Sequence, residues 1–179
     1  MKNKRALTAS ALSLLPLGQP MILGATTAIA TGVAVLSTQT ANAQSANEYL
    51  VKSRSELEQY IKKYESFKKV NENAKAFFRE NLDTLNRIIN NAKESASIKE
   101  TSEAYFILGS VYFYKKNSHF WLNYPSDLTG PEYDEFQKTQ KKLETKALSS
   151  LNQAIQIDPK NIPALLARAH ILAEDEYEK

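Results

Sequence analysis

Residues 147–169 read ALSSLNQAIQIDPKNIPALLARA, and this stretch decides the fold class. Ala147, Leu151 and Ala154 recur at intervals of four and three residues, which places them on one face of an α-helix. The two alanines are small enough to let a neighbouring helix approach closely. Pro159 ends this helix, because a proline disfavours helical geometry in the residue before it. The stretch therefore predicts two helices that reverse direction at the proline.

A second apolar helical stretch precedes it at Glu103 to Lys116. This stretch contains an aromatic residue, a leucine, a glycine and a tyrosine at fixed spacing, namely Tyr105, Leu108, Gly109 and Tyr112. At this spacing the stretch resembles the first helix of a tetratricopeptide repeat, and residues 147–169 resemble the second helix with its Asp-Pro-Lys-Asn turn.

The resemblance implies an all-α fold, a short right-handed stack of antiparallel helical hairpins with a curved groove. Members of the family use such surfaces to hold peptides or folded proteins, and no cofactor is implied. By the same resemblance, Gly109 is the expected point of closest contact between the two paired helices.

The chain departs from the family between these helices. In a standard repeat of 34 residues, the alanine now at 147 would lie near position 121. About 26 extra residues, placed at 117–142, therefore separate the two helices. The turn-forming residues in the first half predict a loop; they are Asn117, Pro125, Ser126, Asp127 and Gly130. Pro131 is well placed to open a helix, so the second half is expected to extend the second helix towards its N-terminus.

The C-terminal segment from about Pro163 to Glu176 is predicted to be a further helix. Ala164 and Ala169 resemble the start of another repeat, but Arg168 stands where leucine is usual. We therefore expect a capping helix that covers the last apolar face of the stack.

Apolar residues also recur at three- and four-residue spacing from Tyr49 to about Ala92, with a polar dip at 71–73. One long helix and a hairpin broken near Asn71 both fit this pattern. The hairpin is favoured because a lone helix leaves its apolar stripe unburied, while a coiled-coil homodimer over 48–94 remains an alternative. The expected organisation is thus a segment 1–43, a hairpin 44–100 that opens with a short linker at 44–47, and a repeat-like domain 101–179.

Residues 1–43 have the pattern of an export signal. A basic start precedes apolar stretches within residues 6–36, and Ala41-Asn42-Ala43 offers the small residues that signal peptidase accepts. The alternative is an uncleaved anchor in which residues 6–36 stay in the membrane. Either way, the rest of the chain is expected outside the cytoplasmic membrane, in a periplasmic, lumenal or secreted location.

The composition of the chain excludes some kinds of chemistry and argues against one class of partner. The chain has no cysteine, which excludes disulfides and thiolate chemistry. Beyond Lys2, Lys4 and Arg5, basic and acidic residues are equal in number. A neutral, mixed surface argues against nucleic acid as a partner.

No catalytic or metal-binding pattern is present in the sequence. His119 and His170 fall in different elements, and neither has metal-type spacing to acids. The acids at 127, 132, 134 and 135 are better explained by the dipole of a helix that starts nearby than by paired-carboxylate catalysis. We expect a protein that is not an enzyme.

Ten aromatic residues crowd into positions 105–136. Either the insertion folds back and these rings form its own core, or some of them bind a partner. The candidate partner-binding residues are His119, Phe120, Trp121, Tyr124 and Tyr133.

These observations predict an exported interaction module, an adaptor or assembly factor that binds a protein or peptide. Two alternatives from other classes are a membrane-anchored coiled-coil tether and a small-ligand-binding protein that uses the aromatic insertion as a pocket.

The first test is the N-terminus of the exported protein. Because small residues occupy both alanine positions before the cut, we expect cleavage after Ala43 and an intact mass that starts at Gln44. Mass spectrometry of the protein recovered outside the cytoplasm measures this. An intact mass that retains residues 1–43 would establish the anchored form instead.

Overall fold

The computed structural model describes residues 33–70 and 73–176, and the part of the chain it describes contains helices and no strands. The all-α class is confirmed. Residues 1–32, which hold most of the expected export signal, lie outside the described residues. The helices are α1 (Val33–Val70), α2 (Ala74–Ile98), α3 (Ser102–Asn123), α4 (Pro131–Ile157) and α5 (Ile162–Glu176).

The first two helices form an antiparallel hairpin. Asn73 caps α2 by accepting hydrogen bonds from the backbone N–H groups of Lys75 and Ala76, at 3.0 and 3.3 Å. The Ser95 hydroxyl near the end of α2 donates to the Ala46 carbonyl near the start of α1, at 2.9 Å. The chain therefore has two helices here, and the interpretation as one long helix is wrong.

Both helices of this hairpin extend further than the sequence predicted. Residues 44–47, expected to be a linker, lie inside α1, and α2 continues to Ile98, beyond the apolar pattern that ends at about Ala92. Serines disfavour helices when their hydroxyls compete for backbone partners. In α2 the buried Ser95 instead bonds to α1, and Ser97 bonds to the Glu94 carbonyl one turn back. These contacts keep the polar end of α2 helical.

A glycine sets the distance between α3 and α4. A methyl group added at Gly109 would come within 2.5 Å of Leu151 Cγ and 3.1 Å of the Ala147 carbonyl oxygen. Ala147, Leu151 and Ala154 are all buried against α3. Leu108 and Tyr112 are buried on either side of the contact. The Ser102 hydroxyl closes the far end by donating to the Ala154 carbonyl at 2.8 Å.

The insertion is less of a loop than its turn-forming residues predicted. α3 continues to Asn123, so the connection to α4 is only the segment 124–130. Asn117, which was predicted to form a turn, lies inside α3. Ser118 and Asn123 satisfy their polar side chains by bonding to the carbonyl four residues earlier, at 3.0 and 3.2 Å. Pro131 occupies the first turn of α4, where its missing N–H leaves no hydrogen bond unmade.

Helix α5 covers α3 and α4 with Ala164, Ala167 and Ile171, which are buried. Asn161 begins it by accepting a hydrogen bond from the Ala164 N–H at 3.0 Å. The outer face of α5 is not the polar face expected of a capping helix. It exposes the large apolar residues Ile162, Leu165, Leu166 and Leu172.

The remaining two repeat-type positions lie near the surface. Tyr105 is half-buried and donates its hydroxyl to Glu100 at 2.9 Å, and Pro159 is exposed in the turn between α4 and α5.

An aromatic core joins the hairpin to the later helices. Tyr64 of α1 packs against Phe77 of α2 and Tyr114 of α3, with ring centroids 6.0 and 5.4 Å away. Burial raises the pKa of Tyr64 to about 12, and the carboxylates of Glu65 and Glu174 add to the shift. Since Glu174 belongs to α5, this core brings the first and last described helices near each other.

Replacing Gly109 by alanine tests the contact between α3 and α4. Helix propensity alone would make Gly109→Ala more stable by about 1 kcal/mol. The overlap with Leu151 costs about 1–3 kcal/mol, so we expect a net loss near 1 kcal/mol in urea unfolding. Gly130→Ala is the control, because its added methyl would lie 3.3 Å from an exposed Asp127 carboxylate oxygen and would meet no neighbouring helix. Alanine is a poorer N-cap than glycine, but it also lowers the entropy of the unfolded chain by a similar free energy, so the unfolding free energy should change by only a few tenths of a kcal/mol. A stabilised Gly109→Ala variant would contradict the close approach.

Candidate functional site

The end of the α3–α4 pair forms a small core of its own, here called the hairpin tip (residues 116–144). Its centre is Phe136, which is buried although it lies far from the Gly109 contact. The rings around it, at centroid distances of 5.2 to 6.4 Å, belong to His119, Phe120, Tyr124 and Tyr133. Trp121 meets Phe120 edge to face at 5.9 Å. The structure thus brings together all five candidate binding residues.

A hydrogen-bond network orients His119 within the tip. The Gln140 amide nitrogen lies 2.9 Å from His119 Nδ1 and 3.2 Å from the carbonyl oxygen of Lys116, to which it donates. An amide nitrogen only donates, so Nδ1 must accept, which requires a neutral imidazole with its proton on Nε2. Burial also lowers the pKa of His119. Both effects favour the neutral ring.

A buried carboxylate joins the two helices behind these rings. Glu144 receives the Lys116 ammonium of α3 at 2.8 Å and the Lys141 ammonium of its own helix at 2.7 Å. Lys116 is itself largely buried, so this ion pair is shielded from solvent. The pair fixes the rotation of α4 relative to α3 on the tip side of the Gly109 contact.

The loop of the tip is ordered by local bonds. One carboxylate oxygen of Asp127 accepts from the Thr129 N–H and hydroxyl, at 2.9 and 2.8 Å. These two bonds lower the pKa of Asp127. Pro125 is buried beneath the loop, and the Tyr133 hydroxyl meets the Gln137 amide nitrogen at 2.6 Å. A loop held at both ends presents its outer side chains in fixed positions.

The five candidate binding residues differ in how much of each side chain is exposed to solvent. Trp121 is half-buried and packs against the main hydrophobic core, so it anchors the tip. Tyr124 is 47% exposed and is the outermost of the five. Leu128, which the sequence did not single out, lies four residues later in the same loop and is 49% exposed. The sequence feature that could have indicated Leu128 is a large aliphatic side chain between the polar residues of a loop.

The acidic residues of the tip lie at and near the start of α4. Glu132 and Asp134 occupy the first turn of α4, where its dipole favours negative charge. Glu135 lies 3.8 Å from the Lys138 ammonium. Over the described residues, no three His, Cys, Asp or Glu side chains converge as metal ligands would.

His170 lies away from the tip, in the aromatic core. Its ring is 5.5 Å from Phe113, and its Nε2 is 3.6 Å from Glu174. The two histidines therefore do not share a site.

A shallow depression of about 520 Å³ lies on α1, lined in part by Asn47, Val51 and Ser55, and neither Trp121 nor Tyr124 takes part in it.

Comparison with protein families, with curated proteins and with solved structures finds no match to this chain. In the stretch that the structure describes, no helix is both long and apolar enough to cross a membrane.

The His119 network makes the tip sensitive to acid. The folded pKa of His119 lies below the ordinary value near 6.5, so the unfolded chain binds more protons between those two values. The contribution of the neutral His119 ring to the free energy of unfolding is complete above about pH 6.5. It is lost as the pH falls through about 6.5 towards the lowered folded pKa.

Amide hydrogen exchange of residues 116–140, followed from pH 7.5 to pH 5 and corrected for intrinsic rates, measures this effect. The amides should lose protection in the wild type and lose less in His119→Asn, which cannot gain the proton. Equal loss in both proteins would assign the acid sensitivity to other groups.

Proposed function

We propose that this chain is an exported helical-stack module that binds a protein partner through the hairpin tip, as an adaptor or assembly factor. The observation that carries the proposal is the pair of exposed apolar side chains, Tyr124 and Leu128, on a tip whose other rings are fixed by Phe136. Tyrosine suits such a role because it offers a large apolar ring and a polar hydroxyl with few rotatable bonds.

Preorganisation supports binding at this place. Binding costs free energy when side chains and loops must be ordered, and the tip is already ordered by the Phe136 rings and the Asp127 turn. The Lys116–Glu144 pair further limits motion between the two helices. A partner would meet a surface close to its bound shape.

The relation to tetratricopeptide repeats is part of the proposal. It is supported by the close contact of Gly109 with Leu151 and by the burial of both repeat alanines, which is the packing that the spacing predicts. Export is proposed from residues 1–43, and no cofactor is invoked.

The alternative functions have less support. The apolar face of residues 48–94 packs within the chain, as Leu57, Leu85 and Ile88 are fully buried. A coiled-coil tether would need that face for a second copy. A small-ligand carrier would need a deep pocket at Trp121, whose ring instead packs on the core.

A matched pair of double variants tests the tip. In Tyr124→Ala with Leu128→Ser, chemical cross-linking and affinity capture from the native compartment should recover much less of the partner, because both exposed contacts are lost. Removing two interface anchors typically weakens binding by roughly tenfold or more. Helicity should be unchanged, since neither side chain is buried.

The control is Tyr49→Ala with Val51→Ser, which removes apolar side chains that are 37% and 49% exposed on α1. It should capture the partner as the wild type does. Equal capture by the tip variant and the control would exclude the tip as the contact. Trp121→Ala is unsuitable, because Trp121 also holds the tip to the core.

A further inference from the structure

Three lysines from three adjacent helices lie on the side of the molecule where α3 packs between α2 and α4. Lys115 of α3 donates to the Asn86 side-chain oxygen of α2 at 2.7 Å. Lys146 of α4 places its ammonium 5.4 Å from the centre of the Tyr112 ring, one turn before Lys115. Lys93 lies two turns after Asn86, on the same face of α2. We call Lys93, Lys115 and Lys146 the lysine face.

No carboxylate of the described residues forms an ion pair with the lysine face. Some other cations of the chain form ion pairs, as Lys116 does with Glu144, Arg87 with Glu56, and Arg54 with Glu103. Within the described residues, none of the three lysines has a carboxylate oxygen within 4.0 Å. Since residues beyond the export segment are neutral overall, this concentration of positive charge is a local feature.

Keeping Lys115 charged opposes folding. The side chain is half-buried, and its pKa is lowered by burial and then by the charges of Lys146 and Lys93. A group with a lowered folded pKa is less stable in its charged form in the native state than in the unfolded chain. Charges that the fold does not compensate are more frequent at functional sites than elsewhere.

We propose that the lysine face binds the carboxylate side chains of an acidic, extended segment of a partner protein. The three ammoniums come from adjacent packed helices, whose axes lie about 8–10 Å apart. Alternate side chains of an extended segment lie about 7 Å apart on one side, so successive carboxylates can reach different lysines. This surface extends the proposed function by a second contact, and its test does not depend on the tip.

The chemistry of the face favours carboxylates over phosphate. Lys93, Lys115 and Lys146 all lie inside helices, where the backbone N–H groups are already bonded within the helix. Phosphate sites typically add free backbone N–H groups at a helix start or the planar fork of an arginine. Separate ammoniums on three helices match separate carboxylates better than one compact anion.

Fluorescence anisotropy with a labelled peptide of alternating glutamate and glycine tests the proposal on the full chain. Binding should be saturable and should weaken with added salt, and a peptide of alternating lysine and glycine should not bind. Replacing all three lysines by glutamine should weaken binding roughly tenfold, because each partly exposed ion pair contributes about 0.2–1 kcal/mol. The control replaces Lys52, Lys62 and Lys63, which are exposed on α1, and changes the net charge equally.

The two triple variants separate a specific face from general attraction. Equal weakening by both would overturn the proposal, as would displacement of the peptide by inorganic phosphate at matched charge. Thermal unfolding provides the second readout. Because the three charges repel one another, the lysine-face variant should unfold at the same or a higher temperature than the wild type. A lower unfolding temperature would show that the lysines serve the fold.

Discussion

The contact between Gly109 and Leu151 is the constraint on which the rest of this structure depends. At that point α3 and α4 lie so close that a single methyl group would overlap the leucine side chain. Close approach buries the alanines at 147 and 154 and lets the Ser102 hydroxyl reach the end of α4. It also fixes the line along which both helices continue past the contact to the hairpin tip.

The tip and the lysine face both follow from that placement. Beyond Gly109 the two helices stay together because Phe136 gathers the rings and Glu144 binds Lys116. On the neighbouring surface, the same spacing brings Lys146 over the Tyr112 ring and beside Lys115. One pair of helices thus positions an apolar contact surface and a positive one, which suits the proposed role of holding another protein. The apolar outer face of α5 is a third surface of this kind.

Much of this architecture could be predicted from the sequence, since helix pairing depends on small residues at regular spacing. The turn at Asp158-Pro159 and the start of α4 at Pro131 depend on the fixed geometry of proline, which acts locally. The extent of α3 could not be predicted in this way. Asn117 was predicted to form a turn from its propensity, but it lies inside α3, which continues to Asn123.

The candidate site was predictable only in part. The crowding of aromatic residues indicated the region, but nothing local distinguishes the buried Phe136 from the exposed Tyr124. Their difference arises from how α4 crosses α3, as does the convergence of lysines that are far apart in the chain. The most direct test of the account is therefore the contact that sets this crossing. Nuclear Overhauser spectroscopy should show cross-peaks between the Gly109 α-protons and the Leu151 methyl groups. If these cross-peaks are absent in the folded protein while both residues are assigned, the packing of α3 on α4 described here is wrong.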